Sequence, residues 1–402
     1  MDKVNQNTNN PNDCDKIITT PDNGIVRTYS GDCPSNSDKY VSFLNKYGDE
    51  VTDIYKQPES KAAVCDIKID REVNMRIIGY AGVGKSSYIN KNFSYHDYLL
   101  LAFTGIAASQ INGTTLSSTF KLGRFNENSV DKAVSSMKFM YKLKVEQIRL
   151  AKGLVIDEFY TTPADIMHKV NIICQKLRNC TDNFGGLQLI VVGDDRQTQC
   201  VSDAFVDSDL YKSMEFKDII LPEHPLMRLT PKYMKYCNAF RDPRLNRNKI
   251  LRLLSNNKFA QKKVDGYSVY YTNAEVNNRN NIEIVKFEGE IIYKNFKKNM
   301  PIYITSSWGS LCNGVMGILL DKKENFLEIE VDGKTYEIET NKINFVPGFA
   351  ITIHKCQSKT WDGINIYIKK SDVLADRAKY IRLIYVALTR VRHFDKCHIS
   401  LY

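Results

Sequence analysis

Arg76-Ile77-Ile78-Gly79-Tyr80-Ala81-Gly82-Val83-Gly84-Lys85-Ser86-Ser87 reads as a short apolar strand, a glycine-rich turn and the opening of a helix. The spacing is glycine, four residues, then Gly-Lys-Ser. Glycines let the backbone curl with its N–H groups pointing inward, where they cradle phosphate oxygens. Gly79, Gly82, Val83, Gly84, Lys85, Ser86 and Ser87 are therefore the expected nucleotide cradle. Lys85 can reach the β- and γ-phosphates, and the Ser86 hydroxyl can ligate Mg²⁺. The helix that follows aims its positive end at the same phosphates.

Outward from this loop, three apolar strands run into polar ends. Tyr98-Leu99-Leu100-Leu101-Ala102-Phe103 is followed by Thr104-Gly105-Ile106-Ala107-Ala108, which offers a hydroxyl and free N–H groups to a backbone phosphate. Gly113-Thr114-Thr115-Leu116-Ser117-Ser118-Thr119-Phe120 is a hydroxyl patch ending in an aromatic; taken alone it is a loop with a core phenylalanine. Gly153-Leu154-Val155-Ile156-Asp157-Glu158 is a strand ending in two carboxylates. Beside a P-loop, Asp157 holds Mg²⁺ through water and Glu158 polarises the attacking water. Leu187 to Val192 runs into Gly193-Asp194-Asp195-Arg196-Gln197, where a glutamine can sense a γ-phosphate.

Further along, Lys232 to Leu254 is basic, with Arg241, Arg244, Arg247 and Arg252. Residues 301–349 alternate apolar and polar around Asp332-Gly333, a hairpin signal, and read as a β-rich insert. Ile351-Thr352-Ile353-His354-Lys355-Cys356-Gln357 returns to strand-then-loop, and the chain closes through Tyr385-Val386-Ala387-Leu388-Thr389-Arg390. Upstream, residues 1–38 are rich in Asn, Asp, Pro, Ser and Thr and read as a disordered tail. Residues 39–70 form a lead-in, with Val41, Leu44 and Tyr47 spaced for a weak amphipathic helix.

Composition narrows the class. The 402 residues give room for two or three domains, and 43% hydrophobic with 25% charged content suits a globular protein. No run reaches the roughly 18 apolar residues of a membrane span, and the first residues lack the apolar core of a signal peptide. The net charge of +10 suits a polyanionic partner. Ten cysteines lie singly, with no C-x-x-C pair, so reduced thiols in a cytoplasmic or nuclear setting are expected and a structural metal is not. Abundant Asn, Lys, Ile and Tyr fit an AT-rich genome such as that of a large DNA virus.

In their order these segments resemble the superfamily 1B helicases of the Pif/RecD/Dda group, from about Arg76 to the C-terminus. Thr104-Gly105-Ile106-Ala107-Ala108 is similar to that group's Thr-Gly-x-Ala-Ala element. Gly113 to Phe120 resembles its Gly-x-Thr-x-His-Ser element, with Ser117 where histidine is usual. Ile351 to Thr360 resembles its Thr-Ile-His-Lys-Ser-Gln-Gly-x-Thr, departing at Cys356 and Ser358. The resemblance implies two RecA-like α/β domains with ATP and Mg²⁺ between them. The first would span 71–221, with a small strand-separating insert at about 121–149; the second would span 222–402, with an SH3-like β-barrel at about 301–349. Lys85, Asp157, Glu158 and Gln197 would act from the first domain, and Arg390 would reach across the cleft from the second. A second arginine is expected after Leu229-Thr230; Lys235 and Arg241 are the candidates, and the planar fork favours Arg241. Thr104, Gly105, Thr114, Thr115, Ser118, Phe120, His354, Lys355 and Thr360 would grip single-stranded DNA. Implied too are 5′→3′ movement, duplex separation in replication, recombination or repair, and a monomeric state. An RNA helicase of a viral replicase shares the ATP motifs, and a helicase relic serving as a binding scaffold is the non-enzymatic alternative. Retention of Lys85, Asp157, Glu158, Gln197 and Arg390 argues against the relic.

Overall fold

The computed structural model describes residues 72–402 apart from 123–129, 198–199, 201–202, 223–228, 309–310 and 376. Before residue 72 it describes four short strands, Asp15–Thr19, Ile25–Tyr29, Phe43–Leu44 and Glu50–Val51, paired antiparallel in that order. The first two fall where a disordered tail was expected, and the last two where a helix was. Ile17-Ile18 and Ile25-Val26 are β-branched pairs, which favour extended backbone over coil. The other residues of the tail and the lead-in lie outside the described residues. Residues 68–221 with 228–402 make one compact unit, apart from these four strands.

Within the larger unit, the P-loop strand Asn74–Ile78 belongs to a six-stranded parallel sheet. Its order is 216–220, 74–78, 188–193, 153–157, 98–102, 114–115. The strands Tyr98–Ala102, Gly153–Asp157 and Gln188–Gly193 are buried at every position. That explains their continuous apolar runs, because a parallel sheet is covered on both faces. All strands point the same way, so Gly79, Thr104, Asp157 and Asp194 emerge at one edge, the C-terminal edge where α/β ligands bind.

A second parallel sheet runs 350–352, 267–270, 364–368, 397–401. Helix Asn273–Lys286 follows its strand Tyr267–Tyr270 and starts with a capping box, Thr272 accepting from Glu275 N–H while Glu275 reaches back to the Thr272 amide. Helix Arg377–Leu388 is buried on most of its faces and carries Tyr385. Between 300 and 347 the chain makes a five-stranded antiparallel sheet with its own apolar core, including Ile302, Leu319, Leu327, Ile329 and Ile338. Two helices, Val130–Met140 and Lys142–Leu150, stand in the segment expected to be an insert of the first sheet; their inner residues Val134, Met137, Val145 and Ile148 join that sheet's core. No helix among the described residues is long and apolar enough to cross a membrane.

Candidate nucleotide cleft and nucleic-acid groove

The P-loop closes on itself through glycine geometry. Gly82 and Gly84 have φ of 82° and 90°, in the left-handed region that side chains avoid. At Gly79 a Cβ would lie 2.7 Å from Val83 Cγ2, so the tight curl itself demands glycine there. Lys85, first residue of helix Lys85–Asn92, is 7% exposed and donates to Gly79 O at 3.0 Å and Tyr80 O at 3.1 Å. Its ammonium thus sits over the loop. Ser86 Oγ donates to Asp157 Oδ2 at 3.1 Å, joining the loop to the carboxylate strand; Ser87 is exposed on the first helical turn.

Burial raises the Asp157 carboxyl to about 7, helped by the neighbouring Glu158 charge and opposed by Lys85. Glu158 takes a left-handed backbone, φ 53°, and its carboxylate accepts from Gln357 Nε2 at 3.2 Å. Asp194, buried, behaves differently. Burial pushes it up, but Lys85 and Arg241 outweigh that and hold it below the usual carboxylate value. Gln197 donates to Asp194 Oδ2 at 3.3 Å, and among the described residues its buried Oε1 has no hydrogen-bond partner.

Arg241 reaches this corner from the second half of the chain. One guanidinium nitrogen donates to Asp194 Oδ1 at 2.5 Å and the other to Asp195 Oδ1 at 2.9 Å. Its Cζ lies 4.1 Å from the Tyr80 ring centre, within cation–π range. The phenol of Tyr385 completes the knot. It donates to Asp194 Oδ2 at 3.0 Å and accepts from Ala81 N–H at 3.1 Å and from Arg241 at 3.2 Å. A phenol has one proton and two lone pairs, so every capacity of this hydroxyl is used. Lys235, the other candidate, is exposed on helix Pro231–Asn238.

Arg390 corrects an expectation. It was expected to reach across the cleft, yet it is 2% exposed and its donors go to Val386 O, Thr389 Oγ1 and Lys359 O. Carbonyls at a helix C-terminus lack partners within the helix, and here the guanidinium supplies them.

Several expected strand contacts converge on one groove of about 800 Å³. Thr104, Gly105, Thr115, His354, Lys355 and Glu158 are among the residues in its wall. Thr104 and Thr115 cap the short helices Gly105–Gln110 and Leu116–Thr119, accepting from Ala107 and Ser118 N–H. Burial, reinforced by the Lys379 charge, lowers the His354 pKa; burial alone lowers that of Lys355, whose Nζ lies 4.7 Å over the Tyr303 ring. Ser118 is exposed, and Thr114 Oγ1 contacts Thr119 Oγ1 at 2.5 Å. Phe120 is a second correction: it is fully buried among Leu116, Val134 and Met137, so it packs the core and cannot stack on a base. Thr360 lines a separate cavity with Lys359, Trp361 and Asp332.

Sequence reading did not single out Tyr80, Asp195, Gln357 or Tyr385, and read Asp194 only together with Gly193 and Gln197 as a γ-phosphate sensor. Tyr385 lay within a quoted motif, but nothing local tied it to a loop 304 positions away. The Gln357 partner likewise lies 199 positions off.

Comparison with known proteins follows the same lines. Residues 59–229 match the family model of PIF1-like helicases. The ATP-dependent DNA helicase PIF1 of Emericella nidulans is 27% identical over 248 residues, 58% of this chain and 33% of that protein. The ATP-dependent DNA helicase RRM3 of Saccharomyces cerevisiae is 28% identical over 138 residues, 33% of this chain and 19% of that one. The chain thus spans about a third or less of the length of these relatives. The crystal structure of Pif1 helicase from Candida albicans superposes with a TM-score of 0.63 at 20% identity, covering 82% of this chain and 91% of that one. Pif1 helicase from Bacteroides, in complex with ADP-AlF3 and ssDNA, gives 0.63 at 21% identity, covering 82% and 89%. The two parallel sheets are therefore the paired RecA-like α/β domains of that fold.

Proposed function

We propose that the chain is a Pif1-type helicase of superfamily 1B, on its likeness to that family, and that it hydrolyses ATP to move along single-stranded DNA and to part duplexes, in replication, recombination or repair. One observation carries the reading: segments that resemble strand-gripping elements, from both parallel-sheet domains, line a single groove, and Glu158 stands in the wall of that groove.

On this reading the P-loop amides and Lys85 take the phosphates of ATP. Ser86 and Asp157 would hold Mg²⁺. They fit it, being oxygen donors 3.1 Å apart, one of them a buried carboxyl in need of a cationic partner. Mg²⁺, when bound, neutralises charge developing on the phosphates. Glu158 polarises the attacking water, and Gln197 Oε1, which has no hydrogen-bond partner among the described residues, offers that water an acceptor. Arg241 exchanges Asp194 and Asp195 for the γ-phosphate as charge builds there, using the fork that lysine lacks. Arg390 fixes the end of the helix that carries Tyr385.

Thr104, Thr115, Ser118, His354 and Lys355 hold backbone phosphates, and 5′→3′ movement follows by analogy with the group. The helical insert presents Phe139, Met140 and Leu143, exposed at 83%, 64% and 85%, between Lys138 and Lys144. Apolar groups framed by lysines suit the end of a duplex, and we assign the strand-separating role to this tip. The antiparallel module at 300–347 is read as the SH3-like barrel. The decisive experiment is ATP turnover with no nucleic acid, with single-stranded DNA and with single-stranded RNA. Stimulation by DNA is expected. Stimulation by RNA alone would move the protein to the replicase type, and no turnover under any condition would leave a binding scaffold.

A further inference from the structure

We infer that Gln357 is a positioning residue that holds the Glu158 carboxylate in the strand groove, and that a strand phosphate entering the groove releases it for catalysis. The inference rests on the hydrolytic and strand-binding reading above and names how the two sites communicate. Gln357 follows the turn His354–Cys356, and its Nε2 donates to Glu158 Oε2 at 3.2 Å. Both side chains line the same groove. The Glu158 backbone is pinned: its N–H donates to Asp157 Oδ1 at 2.9 Å and its carbonyl accepts from Thr161 Oγ1 at 2.8 Å. Its left-handed φ of 53° is a conformation that non-glycine residues keep only where the surroundings enforce it. With the backbone fixed, the carboxylate is the part left to turn.

The chemistry of the groove supplies the trigger. In its wall Lys355 supplies the positive charge that attracts a phosphodiester, and His354 offers a ring N–H donor. A phosphate is also an acceptor for the Gln357 amide, and it repels a carboxylate at short range in a partly buried site. Two anions then compete for one amide donor. The phosphate takes the donor, and Glu158 turns back toward Asp157, its chain neighbour at the nucleotide side. No covalent bond changes in this step; one acceptor replaces another. Strand occupancy is thereby converted into the position of the water-activating group.

The test uses the full chain, with ATP turnover measured with and without a deoxythymidine oligonucleotide. Gln357→Leu removes the donor at nearly constant volume. It is expected to raise strand-free turnover about tenfold, equivalent to about 1.4 kcal/mol, and to lower the stimulation ratio by the same factor. KM for ATP should stay within about twofold, because the amide acts on the carboxylate and not on nucleotide binding. Gln357→Asn keeps an amide that is one methylene too short and is expected to behave alike; it decides the matter should the leucine variant melt early. Strand-free turnover that is unchanged or reduced in the folded variants overturns the relay. Glu158→Gln separates the two levels. Retained turnover there removes the catalytic reading and the relay with it. Lost turnover there, together with unaltered ratios in the Gln357 variants, removes only the relay.

Discussion

Two arginines compete for one role at the cleft, and their hydrogen-bond partners separate them. Arg241 spends its fork on Asp194 and Asp195 beside the P-loop, anions that a γ-phosphate can replace. Arg390 spends its fork on main-chain carbonyls and Thr389 inside its own domain. Arg241→Ala should therefore cut strand-stimulated turnover by about 10³-fold or more, as for other arginine fingers, with ADP affinity little changed and a lowered melting temperature, because buried Asp194 loses its ion-pair partner. Arg390→Ala should cost stability, on the order of 2–4 kcal/mol for stranding buried acceptors, read as a drop in denaturant midpoint. A stable Arg390→Ala protein without turnover would restore the cross-cleft role to Arg390. Asp194 adds a pH signature. Its folded pKa lies below the usual carboxylate value, so below about pH 4 the unfolded chain binds more protons than the folded one. Its contribution to stability is present above that range and is lost as pH falls through the folded pKa. Asp194→Asn should flatten this acid limb in a pH series of urea melts. The types of these residues were legible in the sequence, since a P-loop lysine and a strand-end carboxylate pair announce their chemistry by spacing. Which arginine faced the cleft was not legible, because spacing says nothing about which acceptors a buried guanidinium finds first.

At the scale of elements, pattern and burial agree where a segment is covered on both faces. Leu99-Leu100-Leu101 and Leu189-Ile190-Val191-Val192 are apolar without alternation and lie in the middle of a parallel sheet. Phe120 shows the limit of the same reasoning. A hydroxyl-rich stretch resembling a strand-gripping element carried its terminal aromatic along as a candidate, while Leu116 and Phe120 share one face and turn it into the core. Resemblance fixes the place of a segment, and packing decides which of its side chains reach solvent. The helical insert offers the opposite case, with large apolar groups left outside. Exposed side chains contribute little to folding, so Phe139→Ser with Leu143→Ser should leave the melting temperature nearly unchanged. Strand-stimulated ATP turnover should stay within about twofold, whereas unwinding of a forked duplex should fall by about an order of magnitude. Unimpaired unwinding in this double variant would take the strand-separating role away from the insert.

For the whole molecule, the decisive contacts join positions that no local pattern connects. Tyr80, Asp194, Arg241 and Tyr385 meet at one corner, although Arg241 and Tyr385 are separated by 144 positions and Tyr385 from Asp194 by 191. Motif order predicted that two halves of the chain would face each other, but not which hydroxyl would bridge them. Strand binding should report the charged groove as a whole. For single strands the slope of log affinity against log salt steepens by about 0.7 per phosphate contact, and an affinity flat in salt would contradict a phosphate-gripping groove. The bridge predicts something more specific. Nucleotide and strand can influence each other only if the corner near the P-loop differs in energy between nucleotide states. Tyr385 ties a P-loop amide, a buried carboxylate and the second domain's arginine through one oxygen. A γ-phosphate that draws Arg241 away from Asp194 must then disturb the phenol and the helix bearing it. Tyr385→Phe keeps the ring and removes the oxygen. Affinity for ADP should be little affected, whereas the ratio of strand affinities with a non-hydrolysable ATP analogue and with ADP should shrink toward one. Linkage demands the reciprocal result, so the strand should shift analogue affinity less in the variant by the same factor. A wild-type ratio in Tyr385→Phe would mean that the two domains communicate by another route, and the four-residue corner would be a packing contact alone.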